Sequence, residues 1–95
     1  METKLALAKA LKSCRKAKGL TQEDFGVVSS RTYLSSLERG LKSPTIEKVE
    51  VLAEKMGINP LTILMLTYMN ASENDDLESL YEKVRQELES LRLGD

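Results

Sequence analysis

Arg31, Thr32, Ser35 and Ser36 set one guanidinium among small hydroxyl side chains within two turns of chain. Arginine donates two hydrogen bonds in a fork that matches the O6/N7 edge of guanine, and Ser or Thr hydroxyls bond to several base edges. At helical spacing these residues share a polar side, with Leu34 and Leu37 on the other. No bulky apolar residue stands on the polar side to block entry into a major groove. A plainer reading stays open, because Ser and Thr are ordinary on solvated helices. Little else in the sequence suits chemistry. There is no His and one Cys, so no imidazole base, His-ligated metal, internal disulfide or thiolate cluster is expected. No Gly-rich phosphate loop, Ser–base pair or paired inward carboxylates occur, so neither catalysis nor a cofactor is expected. Cys14 falls on an apolar stripe and reads as core packing.

The elements that must position the polar set read as helices separated by caps. Leu7, Leu11 and Cys14 recur at helical spacing, with Ala8 and Ala10 between them, and predict a helix over 3–18 that Gly19 stops. Thr21 caps a short helix over 22–27 that buries Phe25 and Val28, with Glu23 and Asp24 in its first turn. Ser29 or Ser30 caps a helix over 31–39, which Gly40 ends. Leu34 and Leu37 form its buried face, and Tyr33 is partly covered. Thr45 caps a helix over 46–56 with Ile46, Val49, Leu52 and Ala53 inward. Asn59-Pro60 opens a helix over 60–69. No alternating β-branched stretch competes, so the expected class is all-α. The tight turn between 22–27 and 31–39 makes that pair a helix-turn-helix candidate.

The net charge of −1 conceals a division. Residues 1–48 carry ten basic and five acidic side chains, net +5, and residues 49–95 carry four and ten, net −6. A basic half suits a polyanion, although accidental patterning gives the same numbers. After a linker at 70–72, Ser72 is read as the cap of a helix over 73–91. Its stripe of Leu77, Leu80, Tyr81, Val84, Leu88 and Leu91 spans about two heptads. The five preceding helices already close a core, so the stripe is expected to pair with a second copy rather than pack on its own domain. The carboxylates of this helix read as a solvated face.

The stretch from Leu7 to Leu64 resembles the phage-repressor and Cro-like (Xre-type) helix-turn-helix domain. The pieces that carry the resemblance are Gly19-Leu20-Thr21-Gln22-Glu23-Asp24, Arg31-Thr32-Tyr33-Leu34-Ser35, Leu37-Glu38-Arg39-Gly40, Ser43-Pro44-Thr45 and Gly57-Ile58-Asn59-Pro60. Each is weak alone; their order and spacing together are specific. The resemblance implies an all-α, five-helix repressor-like DNA-binding domain, taken as 1–69, while 70–95 is read from its apolar stripe as a C-terminal dimerisation helix. It further implies that Gln22 touches phosphate and buttresses the recognition helix. It places Arg31, Thr32, Ser35 and Ser36 at bases or nearby phosphates, and Tyr33 and Arg39 at the backbone. Ser30 is counted with this set, and Lys42 and Lys48, basic residues near the helix ends, are expected to assist phosphate affinity. The resemblance pairs Arg15 with Glu38 in an internal salt bridge, the alternative for Arg15 being a direct phosphate contact. The chain departs from the family pattern at one place. Only Val27, Val28, Ser29 and Ser30 separate Gly26 from Arg31, fewer than usual, and the turn glycine is missing. Either the 22–27 helix is truncated or the turn is unusually tight, with Gly26 allowing close approach or forming the turn itself. Which of Ser29, Ser30 and Arg31 reaches the groove stays open.

The function expected from all this is a homodimeric, sequence-specific, double-stranded-DNA-binding transcriptional regulator, a repressor by resemblance. It is expected in the cytoplasm, encoded by a bacterium or phage, with no membrane segment and no small-molecule ligand. The competing expectation is an antitoxin-like or adaptor module that uses the same domain to hold a different protein.

Overall fold

The computed structural model describes residues 1–93. Residues 94 and 95, the end of the expected 70–95 segment, lie outside them. The chain runs through α1 (Thr3–Ala17), a 3-10 turn (Gln22–Phe25), α2 (Arg31–Glu38), α3 (Ile46–Met56), α4 (Pro60–Ala71) and α5 (Leu77–Leu93), with no strand among the described residues. Helix α1 is built from Ala, Leu and Lys, strong helix formers. Its small side chains Ala6, Ala8 and Ala10 are buried with Leu11, and α1 packs chiefly against α4. Both helices flank a core of Leu11, Cys14, Phe25, Leu34, Leu37, Val49, Leu52, Ala53, Met56 and Ile63. Burial pushes the Cys14 thiol above its ordinary value, as befits an inert core residue.

Helices α1, α2 and α3 close in the same way. Gly19, Gly40 and Gly57 take left-handed φ of 68, 72 and 71°, and the next residue's amide returns to a carbonyl of the last turn. Only glycine enters that region without a Cβ penalty, so each helix stops where its glycine stands. Starts are equally local. Thr45 Oγ1 accepts from the Lys48 amide at 3.1 Å, and Asn59 Oδ1 accepts from the Leu61 amide at 2.8 Å with Pro60 in the first turn.

Several elements differ from the sequence reading. The 22–27 helix is truncated to one 3-10 turn ending at Phe25. Thr21 Oγ1 accepts from the Asp24 amide at 3.3 Å, and Asp24 Oδ2 accepts from the Thr21 amide at 2.7 Å. This reciprocal cap holds the first turn, but Phe25 is fully buried and the chain must then reach Ser30 at once. The Val28 and Ser29 amides both return to the Phe25 carbonyl, at 2.9 and 2.8 Å, which makes the turn without any positive φ. Gly26 is itself in that turn, in right-handed conformation. Ile46 is 62% exposed: it shares the α3 stripe by periodicity but stands at the first helical position, where nothing covers it. Helix α4 continues to Ala71, and α5 starts at Leu77 rather than 73. Ser72 Oγ accepts from the Asn74 and Asp75 amides and builds a bend, leaving Asp76 Oδ1 to cap α5 through the Ser79 amide at 2.8 Å.

The Thr21 amide and hydroxyl hold the Asp24 carboxyl below its usual range. A carboxyl depressed in the fold stabilises above its unfolded value, about 4, and that contribution disappears as pH falls through the folded value. Asp24→Ala therefore lowers the urea midpoint at neutral pH, and the gap from wild type shrinks as the pH is taken below about 4.

Candidate nucleic-acid interface

The orientation of α2 is set from behind by a buried ion pair. Arg15 Nε and Nη2 donate to Glu38 Oε2 and Oε1 at 2.7 and 2.9 Å, and Nη1 donates to the Leu20 carbonyl at 2.8 Å. The two side chains are 10% and 3% exposed, and the pairing holds Arg15 above its ordinary pKa. Gln22 Nε2 adds a bond to Glu38 Oε1 at 3.2 Å. One carboxylate thus ties α1, the 3-10 turn and the C-terminal end of α2 together. An acid at a helix C-terminus opposes the macrodipole, so Glu38 is there for its tertiary partners.

With its back so held, α2 presents Arg31, Thr32, Ser35 and Arg39, which line one open hollow together with Gln22. Arg31 is the first residue of α2 and is exposed, its Nη1 donating to Glu23 Oε1 at 3.1 Å. Arg39 caps the C-terminus and donates from Nε to the Ser35 carbonyl at 3.3 Å. Fork donors, hydroxyls and an amide converging on one hollow form a surface suited to base edges and phosphate oxygens. Ser30 is the N-cap of α2, its Oγ accepting from the Tyr33 amide at 3.0 Å, while Ser29 is buried. Of the three residues left open by the sequence, Arg31 alone extends a charged side chain outward, held at one nitrogen by Glu23.

Tyr33 lies half-buried against the core, with Lys42 Nζ 5.7 Å and Lys48 Nζ 5.3 Å from its ring centroid. Cations over an aromatic face are attracted by its quadrupole. Lys48 Nζ also donates to the Val28 carbonyl at 2.7 Å, bracing the short turn from α3.

Ser36 is a correction. The sequence reading placed it with the exposed polar set, but it is only 7% exposed. The Ser36 hydroxyl folds back along its own helix and donates to the Thr32 carbonyl at 3.0 Å, the usual i−4 bond of a serine inside a helix. Sequence reasoning also missed Glu23 as a partner of Arg31 and Lys48 as a brace of the turn. Neither contact has a local signal, since the partners stand eight and twenty residues apart.

An all-helical domain that props a short polar helix outward on a preceding turn defines the helix-turn-helix class of DNA-binding regulators. The helix-turn-helix family model matches residues 11–63, more than half of the chain, and the chain belongs to that family. It is 42% identical over 55 residues to a Sinorhizobium fredii protein named as an uncharacterized HTH-type transcriptional regulator, y4dJ, a match covering 56% of this chain and 71% of that protein. No solved structure matches the chain. No helix of the described residues is long and apolar enough to cross a membrane.

Glu38→Ala leaves the Arg15 guanidinium buried without its partner and is expected to cost about 3–5 kcal/mol in urea unfolding. The joint replacement Arg15→Met with Glu38→Leu is expected to cost far less, because both charges go together.

Proposed function

We propose that the protein is a sequence-specific, double-stranded-DNA-binding transcriptional regulator, a repressor, that acts as a homodimer with α2 in the major groove. The observation that carries this reading is the convergence of Gln22, Arg31, Thr32, Ser35 and Arg39 on one open hollow of α2. In it Arg31 pairs with a guanine, Thr32 and Ser35 meet neighbouring base edges, and Gln22, Arg39, Tyr33 and Lys42 meet phosphates, with Lys48 assisting. The repressor assignment is supported by the likeness to phage repressors. The family supports a binding role without catalysis, and the bacterial relative supports a bacterial or phage-encoded protein working in the cytoplasm.

Residues 1–69 serve as the DNA-binding unit and 70–95 as the dimerisation segment in this reading. Two observations support a second copy as partner. Helix α4 has no charged residue from Pro60 to Ala71, and a helix apolar on all sides is ordinarily buried, yet only Ile63 and Thr67 are. Leu61, Met65, Leu66 and Met69 form an apolar hollow that continues onto Leu77 of α5. Along α5, Leu77, Tyr81, Val84, Leu88 and Leu91 are all exposed, Leu80 less so. A two-fold pairing would cover both surfaces at once and set two recognition helices about 34 Å apart on a palindromic site. The antitoxin-like or adaptor reading is favoured by the same exposed stripe, which also fits another protein's helix.

Arg31→Ala is expected to relax sequence preference by about 1–3 kcal/mol at one base pair, while Arg39→Ala weakens all duplexes alike and reduces the salt dependence of binding. Unchanged footprints for both variants at moderate salt exclude α2 from the groove. In light scattering the full chain alone is expected to be a dimer, and Val84→Glu with Leu88→Glu to be a folded monomer with weakened binding to a palindromic duplex. A monomeric wild type that is recovered from its host bound to a different protein favours the adaptor.

A further inference from the structure

We infer that Glu23 is a specificity-determining residue of the interface: it grips the Arg31 guanidinium by one nitrogen so that the rest of the fork is presented to a guanine. The inference rests on the placement of α2 in the groove and assigns a role to a residue outside α2.

Two Arg–Glu pairs in this small domain differ in kind. At Arg15–Glu38 every guanidinium nitrogen is bonded and both side chains are buried. At Arg31–Glu23 the side chains are 70% and 73% exposed, and among the described residues Nη1 alone is bonded, at 3.1 Å. The first pair is structural. The second adds little to stability, because exposed pairs exchange modest Coulomb energy for side-chain entropy. What it can do is limit where the guanidinium points.

The charge pattern of α2 supports this. A cation at the first helical position opposes the macrodipole, and α2 has no acid in its first turn to offset it. The compensating carboxylate comes from the 3-10 turn instead, from the edge of a hollow lined by Arg15, Thr21, Gln22, Glu23 and Arg31. Arg31 also borders the hollow of Thr32, Ser35 and Arg39. It therefore stands at the boundary of the two elements, with Glu23 on one side and the recognition surface on the other. An arginine free to rotate reaches phosphates as readily as bases and binds every sequence. Held by Glu23, it keeps Nε and Nη2 for the two acceptors of a guanine edge. Where no guanine is present, the carboxylate repels the nearby phosphates and opposes binding. Glu23 thus lowers affinity for wrong sites more than for right ones.

The test uses the full-length chain, the best duplex selected from a random pool, and variants of that duplex in which each G·C pair in turn is replaced by A·T. Anisotropy titrations at one salt concentration give, for each pair, the ratio of the best duplex's affinity to the substituted one's. Arg31→Ala is expected to lower that ratio about tenfold or more at one pair. Glu23→Ala is expected to lower it several-fold while binding of the substituted duplex strengthens, and to change nothing further when Arg31 is already Ala. A wild-type ratio for Glu23→Ala, or an equal loss with and without Arg31, overturns the role of Glu23 and leaves α2 in the groove. Wild-type ratios for Arg31→Ala at every pair remove α2 from the groove and Glu23 with it.

Discussion

The buried pairing of Arg15 with Glu38 is the constraint on which the rest of the domain turns. Two charges out of water are costly, and a bidentate geometry with every guanidinium nitrogen bonded is what offsets the cost. No buried side-chain polar atom among the described residues lacks a partner, so the node is complete. Its location gives it its effect. Arg15 is near the end of α1, Leu20 follows the glycine stop, Gln22 opens the 3-10 turn, and Glu38 ends α2. Four separate places on the chain meet at one ion pair, and α2 has little freedom to tilt.

The segment between Phe25 and Arg31 shows how a shortened connection is tolerated. Two amides share the Phe25 carbonyl, Ser30 caps α2, and Lys48 reaches from α3 to the Val28 carbonyl. Each replaces a contact that a longer helix and turn would have made internally. The result is a short approach to α2 that leaves Val27 almost wholly exposed and keeps Arg31 and Thr32 turned outward.

The far side of the molecule is organised by excess apolar surface. Helix α1 takes one side of α4, and α3 takes another, but twelve residues without a charge offer more surface than two helices cover. Helix α5 continues that surface while its opposite side is spent on ion pairs such as Glu82–Arg85–Glu89. Charge is thus segregated by function: cations gather around α2 and Tyr33, and acids accumulate on the helix farthest along the chain from them.

Helix identity was legible in the sequence because its causes are local. Glycines at 19, 40 and 57 and caps at Thr21, Ser30, Thr45 and Asn59 act within a few residues, and they mark nearly every boundary. The polar set of α2 was legible for the same reason, since helical periodicity separates Arg31, Thr32 and Ser35 from Leu34 and Leu37. What the tertiary structure alone decided depends on residues far apart in sequence. It buried Ser36, braced the short turn with Lys48, and set Glu23 against Arg31. Periodicity assigns a side chain to one side of its helix, but only the neighbouring elements determine whether that side meets solvent, a carbonyl or an opposing charge.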